Sequence, residues 1–121
     1  MHELLAALRP ERRVVLGLLT GNFEDTGTAK LGSVGIEASW FPVRVWGDES
    51  PKQPARREHL PLVAFERYRS LLGRPADPAR TVVIGDTPHD VSCAREHGCR
   101  SLAVATGNFG VEALRATGAD R

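Results

Sequence analysis

Short apolar runs alternate with amphipathic stretches along the whole chain. Residues 2–9 carry leucines at helical spacing and stop before Pro10, which predicts a helix. Residues 14–19 are apolar throughout apart from one glycine, as in a strand of a parallel sheet buried on both faces. A short helix is expected over 26–35 and a second strand over 40–46, followed by a polar turn with two prolines at 48–54. The clearest helix is 60–72. Leu62, Val63, Phe65, Tyr68, Leu71 and Leu72 recur near its period, and Gly73 follows as a stop. A third strand is expected at 81–85, a helix at 88–97 closed by Gly98, a fourth strand at 101–105 and a last helix at 111–117. Alternating strands and helices imply right-handed crossovers and a three-layer α/β/α sandwich around a mainly parallel sheet. In such sheets chemistry sits beyond the carboxyl ends of the strands. The residues to inspect are those following Leu19, Trp46, Gly85 and Ala105.

Composition narrows the classes of partner. The chain has 121 residues, enough for one domain, with 41% hydrophobic and 26% charged residues, so a globular core is within reach. A net charge of +1 offers no basic face for nucleic acid or an anionic membrane. Arg9, Arg12 and Arg13 read as a solvated helix end, with carboxylates near them. Cys93 and Cys99 match no zinc signature. They read as small buried thiols, which suits a reducing cytoplasmic setting. The apolar run at 4–8 follows acidic Glu3 and is too short for a signal peptide, and no stretch reaches bilayer-spanning length.

Three segments could carry chemistry. In the first, an apolar strand delivers Gly85 and Asp86 to its carboxyl end, where a carboxylate is placed to hold a hard divalent cation such as Mg²⁺. Asp90 follows in the first helical turn. Thr87, Pro88 and Asp90 form a capping-box pattern, and the same carboxylate could also support a metal, so both readings stay open. In the second, Thr20 ends a strand before Gly21 and Asn22. Its hydroxyl and the following N–H groups could bind a phosphate oxygen, or serve only as a strand-end turn. In the third, Arg56 or Arg57 precedes the 60–72 helix, where a cation could neutralise a phosphate. Thr-Gly-Asn-Phe occurs twice, at 20–23 and 106–109. The second copy reads as the same turn chemistry used again.

Together these segments resemble the haloacid dehalogenase-like (HAD) superfamily. Its second motif is an apolar strand ending in Thr or Ser, as at 15–20. Its third is a cation near a helix start, as at Arg56 or Arg57. Its fourth is a strand ending Gly-Asp with a further Asp, as at 85–90. The phosphoglycolate phosphatase-like branch looks most similar. The resemblance implies a Rossmann-like core and a Mg²⁺-dependent phosphomonoesterase acting through an aspartyl-phosphate. In that reading Thr20, Gly21, Asn22 and Arg56 or Arg57 contact phosphate, Asp86 and Asp90 serve the metal, and the substrate is a small phosphorylated metabolite.

The family's first motif, Asp-x-Asp, supplies the nucleophile and the general acid, and no Asp-x-Asp occurs in these 121 residues. The resemblance therefore implies a C-terminal part of the core, 1–121, lacking the first strand and the cap. In the family that strand lies between the strands ending here at Thr20 and Asp86, so self-association through unpaired strand edges is expected. Two other readings remain at this stage. One is a non-catalytic phosphate-binding or interaction module of the same fold. The other is a receiver-type domain, disfavoured because the first strand ends in Thr-Gly-Asn rather than in paired acids.

Overall fold

The computed structural model describes all residues, Met1–Arg121. The elements run α1 (His2–Leu8), β1 (Gly17–Leu19), α2 (Glu24–Ser33), β2 (Val43–Val45), α3 (Leu60–Leu72), β3 (Val82–Gly85), α4 (Pro88–Glu96), β4 (Arg100–Ala103) and α5 (Val111–Ala116). The expected α/β alternation is present, and no helix is long and apolar enough to cross a membrane. α3 has the expected bounds. Pro61 sits in its first turn, where a missing N–H costs nothing, and Gly73 ends it at φ 68°, a left-handed conformation that side chains resist.

The strands are shorter than their apolar runs. Only 17–19 of 14–19 and 43–45 of 40–46 are in a ladder, and a 3-10 turn at Ala38–Trp40 precedes β2. The physical reason lies in the sheet. β1 pairs in parallel with β2, β3 pairs in parallel with β4, and the two pairs form separate two-stranded sheets. The Thr20 N–H donates to the Val45 carbonyl, so Leu18 and Thr20 face β2 and Gly17 and Leu19 face the open edge. On β3, the carbonyls of Thr81 and Gly85 accept from β4 and its exit, so Val82 and Ile84 face the open edge. A strand with one neighbour has no ladder to extend it and no second flank to bury it. Gly17 and Val82 are exposed, and Leu18, Leu19 and Ile84 only half-buried. The far edge of β4 is closed instead. Arg121 N–H donates to the Ser101 carbonyl, Ala103 N–H donates to the Arg121 carbonyl, and the Asp120 carboxylate accepts from Ser101. The Ser101 N–H donor, foremost, holds the Asp120 carboxyl below its ordinary range.

What joins the two sheets is α3. It packs on β1 and β2, and the 3-10 turn before it, Arg57–His59, packs on α4, which lies on β3 and β4. Leu60, at the junction, is 1% exposed. Further along the helix Arg67 holds both Glu49 oxygens and the Arg44 carbonyl, while Glu49 accepts from the Trp46 N–H at 2.8 Å. A second cluster, Leu5, Ile36 and Phe41 with Leu16, Leu18, Leu31 and Trp40 around it, pins α1 and α2 to β1. Burial pushes the Cys93 thiol up to about 12, so it packs as a small apolar group. Cys99 is half-buried, its thiol also raised by burial, and the two are not bonded to each other.

Two outcomes follow. The open edges of β1 and β3 leave the N–H and C=O groups of four residues without ladder partners, and such edges template association. Thermal unfolding of the purified chain with light scattering is expected to show a broad transition that depends on concentration. A sharp, reversible, concentration-independent transition of a monomer is the contrary result. The second concerns pH. Hydrogen bonding to Arg67, foremost, holds the Glu49 carboxyl below its ordinary value of 4.5. A depressed carboxyl pKa gives stability that is fully present above the unfolded value and lost as pH falls through the folded one. Glu49→Gln is therefore expected to cost about 1 kcal/mol at pH 7, discounted for the partly exposed Arg67. The difference from the parent, read by denaturant titration, should close below pH 4.5.

Candidate phosphate and metal site

Two groups of side chains stand at strand carboxyl ends. The first follows β1. Thr20 Oγ1 accepts from the Asn22 N–H at 3.1 Å and from the Asn22 side-chain amide at 2.9 Å. The Asn22 amide oxygen in turn accepts from Lys30 Nζ at 2.8 Å. The Asn22 backbone N–H, a candidate phosphate donor by sequence, is thus used within the turn, and the Gly21 N–H makes no backbone bond. Thr20, Asn22, Gly27, Lys30 and Trp46 line a cavity of about 140 Å³. Two close approaches shape it. Gly47 donates its N–H to the Asn22 carbonyl at 2.8 Å, and a Cβ at Gly47 would overlap the Gly21 backbone. Gly27 of α2 lies against the Trp46 ring, where a Cβ would collide with it.

The second group follows β3. Asp90 is 4% exposed, and both of its oxygens are engaged. Oδ1 pairs with Arg57 at 2.8 Å, and Oδ2 accepts from the Thr87 N–H at 3.0 Å and the Thr87 hydroxyl at 2.8 Å. The capping box read from the sequence is formed. It engages both Asp90 oxygens within the chain, with three contacts against the roughly four acceptor sites of a carboxylate. Of the two candidate arginines, Arg57 is the one fixed at this site, while Arg56 forms no ion pair. Gly85 is required beneath it, because a Cβ there would overlap the Asp90 carboxyl group. Next to it, the half-buried Asp86 carboxylate makes no hydrogen bond or ion pair within the chain. Glu58 reaches across to His89 at 3.5 Å, and its carboxyl is held low chiefly by its own backbone N–H.

The fit to Mg²⁺ rests on that free carboxylate. Asp86 offers one hard oxygen donor at a strand end, and no three His, Cys, Asp or Glu residues gather into a cage. Mg²⁺ is typically held by one or two carboxylates with water and phosphate oxygens completing the shell, so the single donor is compatible with it.

Two residues escaped the sequence reading. Lys30 joins the first group from a helix face eight residues on, a separation with no short-motif signature. Gly107, in the second Thr-Gly-Asn-Phe copy, lies against Asp86 so closely that a Cβ would overlap its carboxylate. The repeat was the visible signal, and its second copy packs on the very carboxylate proposed for the metal.

A parallel α/β core with its polar turns at the strand carboxyl ends is the class that places its ligands in the crevice beyond the sheet. The family described as HAD-hydrolase-like matches residues 55–121, more than half of the chain, and the chain belongs to that family. Among solved structures it is similar to a protein assigned as a beta-phosphoglucomutase from Thermotoga maritima, with TM-score 0.77, 23% identity and 98% of this chain covered. It is also similar to a protein assigned as a phosphatase from Clostridium acetobutylicum, with TM-score 0.76, 22% identity and 98% covered. At these identities the likeness is one of fold. The chain spans about half the length of each, 51% and 50%. No curated protein matches it.

The ion pair separates the two arginines experimentally. Arg57→Ala leaves a buried carboxylate without its cation and is expected to cost about 2 kcal/mol, discounted because Arg57 is itself partly exposed. Arg56→Ala is expected to stay within about 0.5 kcal/mol of the parent. Equal effects of the two in denaturant titration would contradict the pairing.

Proposed function

We propose that this chain carries the later part of the core of a Mg²⁺-dependent phosphomonoester hydrolase of the phosphoglycolate phosphatase-like kind, acting on a small phosphorylated metabolite. The observation that carries the reading is the free Asp86 carboxylate at the end of β3 beside the Arg57–Asp90 pair, in a chain of the HAD-hydrolase-like family. The Thr20 hydroxyl and the Gly21 N–H donate to phosphoryl oxygens. Asp90 balances the Arg57 charge, and the guanidinium N–H groups not used on Asp90 would donate to a phosphoryl oxygen. Bound Mg²⁺ supplies further neutralisation of developing negative charge. These groups bind and polarise, and none is a nucleophile aimed at phosphorus. The aspartyl-phosphate chemistry of the reading requires a carboxylate outside these 121 residues.

The test uses the isolated chain. It is expected to bind inorganic phosphate with Mg²⁺ present, seen as shifts of the Gly21 and Asn22 amide signals. Asp86→Asn should weaken the Mg²⁺-dependent part about tenfold or more, the worth of one charged contact. It is expected to release no phosphate from p-nitrophenyl phosphate. Mg²⁺-dependent release abolished by Asp86→Ala would reveal a nucleophile within the chain. Absence of phosphate binding would remove the site.

A further inference from the structure

Thr20 has one hydroxyl proton and two lone pairs, and the turn after β1 decides how each is used. Both lone pairs face donors, the Asn22 N–H at 3.1 Å and the Asn22 side-chain amide at 2.9 Å. The proton has no acceptor within the chain. This holds only while Asn22 presents its NH₂ group to Thr20. Turned over, the amide would present its oxygen there and accept the Thr20 proton. What settles the choice is Lys30. An ammonium donates and cannot accept, so the group within 2.8 Å of Lys30 Nζ must be the amide oxygen. The NH₂ group is thereby aimed at Thr20. Lys30 also lines the cavity that Thr20 and Asn22 border.

We propose that Lys30 is a positioning residue that locks the Asn22 amide and so compels the Thr20 hydroxyl to donate out of the turn, toward an oxygen of a bound phosphate. The proposal rests on the phosphate-site reading above and extends it by one residue on a different element. Lys30 acts through Asn22 and Thr20. A charged donor at the start of a hydrogen-bond chain also polarises the bonds that follow, which strengthens the last donor.

The experiment has two arms on the full chain. The first needs no ligand. Lys30 lies on the exposed face of α2, and Lys30→Met keeps the stem while removing the donor. The Asn22 side-chain NH₂ signals are expected to shift and to exchange faster in Lys30→Met, and to stay near the parent in Lys30→Arg, which is again donor-only. Unchanged signals in Lys30→Met would overturn the lock. The second arm titrates inorganic phosphate into the parent, Lys30→Met, Thr20→Val and the double variant. Lys30→Met is expected to weaken binding about fivefold, Lys30→Arg less than about twofold, and Lys30→Met in the Thr20→Val background not at all. Losses that multiply would make Lys30 a direct charge contact and overturn the proposal. A parent chain that binds no phosphate overturns the site itself, and the first arm still decides whether Lys30 sets the amide.

Discussion

The structure depends on a helix doing what a sheet ladder ordinarily does. β1 and β3 are not hydrogen-bonded to one another, so no ladder spans the molecule. α3 carries the connection, and arginines fasten it to both halves. Arg67 grips Glu49 and the Arg44 carbonyl at the exit of β2, and Arg57, just before the helix, grips Asp90 at the start of α4. The two bonds differ in kind. Arg67–Glu49 is partly exposed on both sides, so water competes for it and its worth is modest. Asp90 is almost wholly buried, so its pairing matters mainly because an unpaired carboxylate there would be costly.

The same economy of contact recurs at the strand exits. In each pair, the loop after the second strand presses a glycine onto the turn after the first. Gly47 lies on Gly21 in one half, and Gly107 lies on Asp86 in the other. A side chain at either position would push the loops apart and widen the turns from which the site is built. These glycines are needed for close approach rather than for a left-handed backbone, since neither has positive φ. Gly85 beneath the Asp90 carboxyl belongs to the same set. Gly47 packs on backbone, while Gly107 and Gly85 pack directly on the Asp86 and Asp90 side chains, so each polar turn is held by a close backbone approach.

Helices were more legible in the sequence than strands, and the reason is local. α3 declares itself through periodicity, an early proline and a stop glycine, all within its own residues. The cap of α4 is likewise written in Thr87, Pro88 and Asp90. Strand extent depends on neighbours, and 14–16 and 40–42 have none, so apolar residues such as Val14 stay out of the ladder. The site divides in the same way. Gly85, Asp86 and the Thr20 turn stand on contiguous residues with recognisable patterns. The choice between Arg56 and Arg57 turned on a contact with Asp90, more than thirty residues on. Whether the Asn22 N–H was free turned on which acceptor it found within its own turn. Composition reports neither.

These engagements also separate binding from chemistry within the site. A group already satisfied inside the chain can orient others but has little to offer a ligand. Asp90, the Asn22 N–H and the Asn22 amide are in that position. The Thr20 proton, the Gly21 N–H and the Asp86 carboxylate are not. In the proposed reading the two donors, after β1, would serve phosphoryl oxygens, and the one hard anion, after β3 on the other sheet, would serve the cation. Such a set gains most as negative charge builds on the phosphoryl oxygens, because fixed donors and charges need no reorganisation at that moment. In that reading the set would bind and polarise a phosphoryl group, and the attacking group would come from outside these residues. In that arrangement Lys30 has a definite place. Through Asn22 it keeps the Thr20 proton pointed outward, so that the hydroxyl stays a donor where a neutral turn would let it fold back on the amide.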